Sequence, residues 1–307
     1  MSQRFLSALR SHRVLLMDGA MGTELQRAGL PDGGCAARWN LDHPDRVRAV
    51  HKAYVDAGAD VLVTNTFQAH AAALSANRAP ASTEQVVSEG LRLANGACST
   101  RHFVLIGIGP FVAPGSRAAL DPAVLKSFGS ALRSADGVLF ETWSDPLCLE
   151  LAAALRHEDP ALQQQPIFLS LTFQRADTPD QGGTYRSPDG RYDPEWYASQ
   201  AQERGFAALG VNCGRDLGVV DCAEILRRYR RETDLPLFAR PNAGTPARYK
   251  KGWSFPVTPA KMAAALHAIL TAEVKMIGGC CGTTPAHIAA CKVVVDSWNA
   301  RRAGQGV

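Results

Sequence analysis

The chain has 307 residues, of which 46% are hydrophobic and 20% are charged, a composition typical of a globular protein. Its net charge of +4 comes from scattered lysines and arginines, without the aromatic-interleaved basic stripe of nucleic-acid-binding proteins. Its apolar runs are shorter than the roughly 18 residues that span a bilayer, and its N-terminal segment lacks the apolar region of a signal peptide. We therefore expect a cytoplasmic protein that binds neither nucleic acid nor membrane and keeps its eight cysteines reduced.

Eight short apolar runs rich in β-branched residues alternate with segments of helical length. In chain order the predicted strands are 14–18, 60–67, 103–109, 137–142, 167–173, 207–213, 235–242 and 274–280. The runs are almost continuously apolar, which is typical of parallel strands buried on both faces of a sheet. This pattern predicts an α/β protein with a parallel sheet.

The segments between the predicted strands carry helical spacing and start signals. Val47, Val50 and Tyr54 fall on one face of a helix. Thr284 followed by Pro285 predicts the start of the last helix, because these residue types favour the N-cap and the first turn.

The alternation predicts a single (β/α)8 barrel, or TIM barrel, that spans residues 1–307 as one domain. A doubly wound open sheet is the main alternative. Residues 175–194, after the fifth predicted strand, are turn-rich and long enough to form a lid over the carboxyl ends of the strands.

Polar residues and cysteines follow six of the eight predicted strands. These segments are DGAMGTE (18–24), TNTFQ (64–68), FETWSD (140–145), VNCG (211–214), RPNAG (240–244) and GGCCGT (278–283). Because barrel enzymes carry their active sites at the carboxyl ends of the strands, this recurrence predicts a functional site there.

Three cysteines stand out because they lie at strand ends beside glycines: Cys213, Cys280 and Cys281. In a closed barrel the sixth and eighth strands are separated by one strand, so the three thiols can converge on one zinc ion and leave a fourth position for a substrate. Spacing alone leaves three alternatives open: a vicinal disulfide, neighbours without a shared ligand, and a redox pair at Cys280 and Cys281. We expect the cysteines at helical positions to be small buried hydrophobes.

Taken together, six segments resemble the homocysteine S-methyltransferase family: DGAMGTEL, AGADVLVTNTFQA, FET, GVNCG, PNAG and GGCCGTTPAHI. The resemblance extends from about residue 13 to about residue 298. It implies a zinc ion held by Cys213, Cys280 and Cys281, with the sulfur of homocysteine as the fourth ligand.

The resemblance also implies where the amino-acid end of homocysteine binds. Glu141 would receive the ammonium group, and Asp18 with the following Gly19 turn would frame it. Weaker candidates for the substrate site are Asn65, Thr66 and Asn242. Each of these could equally hold a loop together through hydrogen bonds to the backbone.

The implied reaction is methyl transfer to the zinc-bound thiolate of homocysteine, giving methionine, with a sulfonium donor such as S-methylmethionine or S-adenosylmethionine. Betaine as donor, selenocysteine as acceptor, and a non-catalytic homocysteine-binding module that needs a partner are the alternatives. Aromatic faces attract cationic donors, and the candidates are Trp39, Phe67 and Trp143. Arg240 stands where relatives often carry an aromatic or apolar residue, and this departure leaves donor specificity open.

Overall fold

The computed structural model describes residues 2–75, 81–111, 123–158, 162–176, 185–214, 217–249 and 252–304.

All eight predicted strands form, and they make one parallel sheet. The strands are β1 (Leu15–Leu16), β2 (Val61–Val63), β3 (Phe103–Ile108), β4 (Gly137–Trp143), β5 (Ile167–Leu171), β6 (Ala208–Asn212), β7 (Leu237–Arg240) and β8 (Val274–Ile277). Several end earlier than predicted, as β2 does at Val63.

The sheet closes into a barrel. Its order is β1-β8-β7-β6-β5-β4-β3-β2, and a parallel bridge between Met17 and Val61 joins the two outer strands. The backbone N–H of Asp18 donates to the carbonyl of Val61 at 2.9 Å beside this bridge. The prediction of a (β/α)8 barrel is therefore confirmed, and the open sheet is wrong.

Helices connect the strands and pack around the barrel. They are α1 (Ser2–Arg10), α2 (Gly22–Arg27), α3 (Trp39–Asp42), α4 (Pro44–Asp56), α5 (Ala71–Ser75), α6 (Thr83–Ala97), α7 (Ala123–Lys126), α8 (Ala131–Ser134), α9 (Leu147–Glu158), α10 (Pro194–Glu203), α11 (Val219–Glu232), α12 (Pro259–Ala265), α13 (His267–Leu270) and α14 (Pro285–Gly304), with a 3-10 turn at Ala36–Arg38. The predicted face of Val47, Val50 and Tyr54 in α4 is buried, and α14 begins at Pro285 as predicted. Among the described helices, none is long and apolar enough to cross a membrane.

Helix α1 closes the amino end of the barrel, an element that the strand–helix alternation did not predict. Phe5 is fully buried, and its ring stacks on Phe103 at 4.3 Å and on Phe168 at 5.2 Å between centroids. Phe103 is the first residue of β3 and Phe168 the second of β5, so α1 lies at the end of the barrel opposite the predicted site.

Two antiparallel hairpins extend from the carboxyl end of the barrel. Gln174–Arg175 pairs with Tyr185–Arg186 after β5, and Ala247–Tyr249 pairs with Gly252–Ser254 after β7. The first hairpin is fixed to α11, because Arg175 and the hydroxyl of Tyr185 donate to Asp221 at 2.5 and 2.9 Å. The segment predicted as a lid thus contains part of a hairpin anchored to α11, while its residues 177–184 lie outside the described residues.

Candidate metal centre and substrate site

The three strand-end cysteines meet at the carboxyl end of the barrel. The sulfurs of Cys213, Cys280 and Cys281 all lie within 4.8 Å of one another, and Cys213 Sγ is 3.9 Å from Cys281 Sγ. All three are free thiols, so the predicted convergence occurs without a vicinal disulfide. Tetrahedral zinc with Zn–S bonds of about 2.3 Å separates its sulfurs by about 3.8 Å, and the donor set and spacing therefore fit a zinc ion.

Local backbone conformation turns these thiols toward one point. Cys213 has a φ of 57°, in the left-handed region that non-glycine residues rarely adopt, and the following Gly214 has 87°. Gly282, with a φ of 78°, follows the adjacent cysteines, and a Cβ there would lie 2.0 Å from the ring of Phe255. Strained backbone of this kind concentrates at functional sites.

Asn212, which our sequence analysis did not single out, links the cluster to neighbouring strands. Its amide nitrogen donates to Thr142 Oγ1 at 2.7 Å and to Cys280 Sγ at 3.6 Å. Its oxygen accepts from the Ser170 hydroxyl at 2.5 Å and from the Thr142 backbone N–H at 3.2 Å. Its position directly before Cys213, as a polar residue ending a buried strand, was the signal that could have identified it.

The thiols share hydrogen bonds that change their acidity. Hydrogen bonds from Cys280 and Cys281 hold the pKa of Cys213 well below its usual range. Donation to Cys213 raises the pKa of Cys280 to about 11 and also raises the pKa of Cys281. The three thiols therefore titrate as one coupled group.

A cavity of about 390 Å³ opens onto the cluster. The three thiols line it together with Glu141, Arg240, Asn65, Phe67, Gly19 and other residues of the rim. This volume is within the range of small-molecule sites, and the wall combines apolar surface with a few polar groups.

Glu141 and Arg240 line one side of this cavity and form an ion-pair cluster with Asp18. Arg240 Nη1 donates to Glu141 Oε1, while Nη2 donates to Asp18 Oδ1 at 3.0 Å and to the Gly19 carbonyl at 3.3 Å. The second oxygen of Asp18 accepts from the Val63 N–H at 2.8 Å. All three charged side chains are buried. The structure thus brings Asp18, Gly19 and Glu141 together as expected, and adds Arg240 between them.

Burial changes the acidity of the two carboxyl groups. Removal from water raises the pKa of Asp18 to about 7, although Arg240 and the Val63 N–H oppose this shift. Burial likewise raises the pKa of Glu141, again against the attraction of Arg240. Two neighbouring carboxylates in a dry site are costly without cations, which accounts for the guanidinium between them.

The weaker candidates act in part as loop supports. Asn65 lines the cavity, but its amide donates to the Ala36 carbonyl at 2.7 Å and to Asn40 Oδ1 at 2.9 Å. The hydroxyl of Thr66 donates to the Gly107 carbonyl at 2.7 Å, away from the cavity wall. Asn242 donates to the Gly214 carbonyl at 3.2 Å, next to Cys213.

Of the three aromatic candidates, Phe67 lies on the cavity and is 39% exposed. Trp39 instead lines a separate cavity with His43 and Arg46. Trp143 is fully buried, donates through Nε1 to the Ile108 carbonyl at 2.9 Å, and lines another small cavity. The structure therefore places Trp39 and Trp143 away from the thiols' cavity.

Comparison with known proteins agrees with this geometry. The family model described as homocysteine S-methyltransferase matches residues 15–295. The chain belongs to the homocysteine S-methyltransferase family. The prediction of the family is confirmed.

Solved structures and curated sequences support the assignment. The homocysteine methyltransferase MmuM from Escherichia coli in a metallated form is 25% identical with a TM-score of 0.72, covering 95% of this chain and 99% of that one. Its oxidized form has the same TM-score, the same coverage and 27% identity. Methionine synthase of Mycobacterium tuberculosis is 30% identical over 299 residues, and that of Mycobacterium leprae is 30% identical over 301. The aligned region is 91% of this chain but 24% of either synthase, so the chain spans about a quarter of their length.

Proposed function

We propose that the chain is a zinc-dependent S-methyltransferase that moves a methyl group from a sulfonium donor to the thiolate of homocysteine, giving methionine. The observation that carries this proposal is the convergence of three free thiols within 4.8 Å on the wall of a small-molecule cavity that is also lined by the buried carboxylate of Glu141.

Cys213, Cys280 and Cys281 would hold the zinc ion. When bound there, zinc would supply a positive charge that favours the thiolate form of a fourth thiol, whose sulfur would stay nucleophilic. A thiol with a pKa near 8.5 is a few per cent ionised at pH 7, so complete deprotonation contributes at most about 2 kcal/mol. No general base is then required at the acceptor sulfur.

Most of the acceleration has to come from alignment of the two reactants. Positioning can contribute about 7–11 kcal/mol when the attacking sulfur, the methyl carbon and the leaving sulfur are held in line. Asn212 fixes Cys280 by hydrogen bonding, and the left-handed backbone at Cys213 fixes its thiol. Glu141, on the wall of the same cavity, offers a carboxylate to the ammonium of the acceptor.

Phe67 is the aromatic face that we assign to the methyl donor. It is partly exposed on the cavity wall, and a cation over a phenyl ring gains about 0.5–2 kcal/mol. We favour S-methylmethionine or S-adenosylmethionine as donor, because the resemblance in motif layout is to the enzymes that use them. Betaine is also cationic and is the competing donor, and selenocysteine is the competing acceptor.

A partner-dependent enzyme is the second candidate. It is favoured by the alignment of this chain with about a quarter of two methionine synthases, since a quarter of an enzyme can be a module that works with other parts. Under this proposal the chain binds homocysteine, and a second protein carries the methyl donor.

An activity screen tests both candidates. Purified protein with its zinc content measured is incubated with homocysteine and, in turn, S-methylmethionine, S-adenosylmethionine, betaine and dimethylsulfonium compounds, and methionine is measured by mass spectrometry. Turnover with a sulfonium donor is the expected result. Zinc-loaded protein that binds homocysteine but turns over with no donor would favour the partner-dependent enzyme, and protein that neither holds zinc nor binds homocysteine would contradict both.

A further inference from the structure

Arg240 already occupies the group of acceptors that would surround an ammonium ion. One guanidinium donates to Glu141 Oε1, to Asp18 Oδ1 and to the carbonyl oxygen of Gly19. These three residues are the ones assigned above to the amino-acid end of the acceptor. A cation is thus built into this end of the site before any substrate binds.

The arrangement is fixed rather than loosely held. Arg240 is 3% exposed and Asp18 2%, and the other oxygen of Asp18 is bonded to the Val63 N–H at 2.8 Å. Separating one partner of a buried ion pair leaves an uncompensated charge in a dry environment, which is strongly unfavourable. An incoming ammonium therefore joins this cluster and does not displace Arg240 from it.

The charges of the cluster allow two kinds of acceptor. Two carboxylates and one guanidinium leave a formal charge of −1, which still attracts the ammonium of homocysteine. Without an ammonium, however, each carboxylate still has Arg240 as its partner. Sites that bind an ammonium usually reject a substrate lacking it, because a buried carboxylate is then left without a cation. Here Arg240 remains as the cation, so this reason for rejection is removed.

We infer that Arg240 substitutes for the ammonium of the acceptor, so that this enzyme also methylates thiol carboxylates that lack an α-amino group. The inference rests on the proposed function and extends its range of acceptors. The matched pair of substrates is homocysteine and 4-mercaptobutyrate, which differ by the amino group alone.

The reaction balances in the same way for both thiols. A new bond forms between the acceptor sulfur and the methyl carbon, and the bond from that carbon to the donor sulfonium breaks. Its electron pair stays on the donor sulfur, which becomes a neutral thioether. The proton of the acceptor thiol is released to solvent.

The first measurement compares kcat/KM of the two thiols with the zinc-loaded protein. A site that needs a substrate N–H to pair its buried polar groups rejects the analogue lacking it by about 10⁴-fold. Since Arg240 already pairs these groups, we expect the two thiols to differ by no more than about tenfold here. A preference for homocysteine near 10⁴-fold would overturn the inference.

Two variants test whether Arg240 is responsible. Arg240→Gln removes the guanidinium, and we expect the preference for homocysteine to increase at least about tenfold, because the carboxylates then need its ammonium. Asp18→Asn combined with Arg240→Gln removes one charge of each sign, keeps the cluster at −1, and should show the same increase. This double variant answers the question if the single variant fails to fold. An unchanged preference in a folded variant would contradict the inference.

Arg228→Gln is the matched control. Arg228 is also a buried guanidinium, paired with Glu195 at 2.5 and 2.6 Å between α11 and α10, away from the cavity. It should lower stability without changing the preference between the two thiols.

Calorimetric titration of the zinc-loaded protein with each thiol gives a readout that does not depend on turnover. The inference is supported if the two thiols have comparable dissociation constants with the wild-type protein and different ones with the Arg240 variants. This result does not require the true methyl donor. Binding of neither thiol would refute the proposed function itself, and tight binding of homocysteine with no detectable binding of 4-mercaptobutyrate would refute the role of Arg240 alone.

Discussion

At the scale of single residues, the site depends on three thiols and three buried charges. The thiols come from two loops that follow β6 and β8, and the charges from the ends of β1, β4 and β7. The thiols, Glu141 and Arg240 reach the cavity because their strands end there, and Asp18 contacts Arg240. Substitution of one residue should therefore change one chemical property of the site.

Cys213→Ser should abolish tight zinc binding. It removes one of the three converging sulfurs, and loss of a ligand exceeds the roughly 10–100-fold effect of losing a group that merely orients one. Zinc content after dialysis and the rate of homocysteine methylation should each fall at least about 100-fold. Cys98→Ser, at a half-buried cysteine outside the cluster, is the control and should retain zinc. Chemistry at Cys280 and Cys281 that survives Cys213→Ser would instead indicate a redox pair.

Asp18 should make the stability of the protein depend on pH. Its pKa rises from 3.8 to about 7 on folding, so the folded state holds the proton more tightly and the contribution of Asp18 to stability falls as pH rises between these values. The fall is about 1.4 kcal/mol per pH unit. The unfolding free energy of Asp18→Asn relative to wild type should thus increase from pH 4 to pH 7 and stay constant above. Urea titrations across this range measure it, and a difference independent of pH would contradict the burial of an ionisable group there.

At the scale of elements, the ends of the strands are joined by side chains as well as by the ladder. Asn212 at the end of β6 is hydrogen-bonded to Thr142 in β4, to Ser170 in β5 and to Cys280 after β8. Four strand ends thus share one amide. This arrangement makes the position of the thiols a property of the closed barrel.

Asn212→Ala should weaken zinc binding and stability together. Loss of the amide leaves its buried hydrogen-bond partners unpaired, which lowers stability by about 1–3 kcal/mol. Loss of the hydrogen bond to Cys280 lets its thiol move, which lowers metal affinity about 10–100-fold. Competition with a chelator and thermal unfolding measure the two effects. Asn299→Ala is the control, because Asn299 makes two bonds to the Val14 backbone at 2.8 and 3.0 Å away from the site. Asn299→Ala should lower stability and leave zinc affinity unchanged. Equal zinc affinities in the two variants would argue against the positioning role of Asn212.

At the scale of the whole molecule, the two ends of the barrel have different tasks. The amino end is filled by α1 and the stacked rings of Phe5, Phe103 and Phe168. The carboxyl end carries the cavity, the thiols and the partly exposed Phe67. Stability and catalysis should accordingly be separable by identical substitutions at opposite ends.

Phe5→Ala and Phe67→Ala should have opposite consequences. Phe5 is fully buried, so its truncation should cost about 3–5 kcal/mol of stability without changing the KM for the methyl donor. Phe67 is 39% exposed, so its truncation should leave stability nearly unchanged but raise the KM for a sulfonium donor about 2- to 30-fold, the equivalent of about 0.5–2 kcal/mol. Thermal unfolding and steady-state kinetics on both variants give the comparison. A donor KM unaffected by Phe67→Ala would remove Phe67 from the donor site.

The barrel and the identity of the three thiols could be predicted from the sequence, because both follow from local patterns. Continuous apolar runs separated by helical spacing define the strands, and cysteines beside glycines at the ends of two of them mark the cluster. The family motifs lie at the same strand ends. The ends of the strands were predicted less well, since β2 ends at Val63 and not at residue 67.

Tertiary structure alone decided what those residues contact. Trp39 and Trp143 were candidates for the donor site like Phe67 but line other cavities, because the direction of a side chain near the rim depends on how the chain packs after the barrel closes. Arg240 lies 99 residues from Glu141 and 222 from Asp18, so no local pattern could place its guanidinium between them. The sequence by itself determined the fold and the identity of the converging thiols, since periodicity and residue type are local. The tertiary structure decided the charge beside those thiols, since that charge is the sum of groups brought together by closure of the barrel.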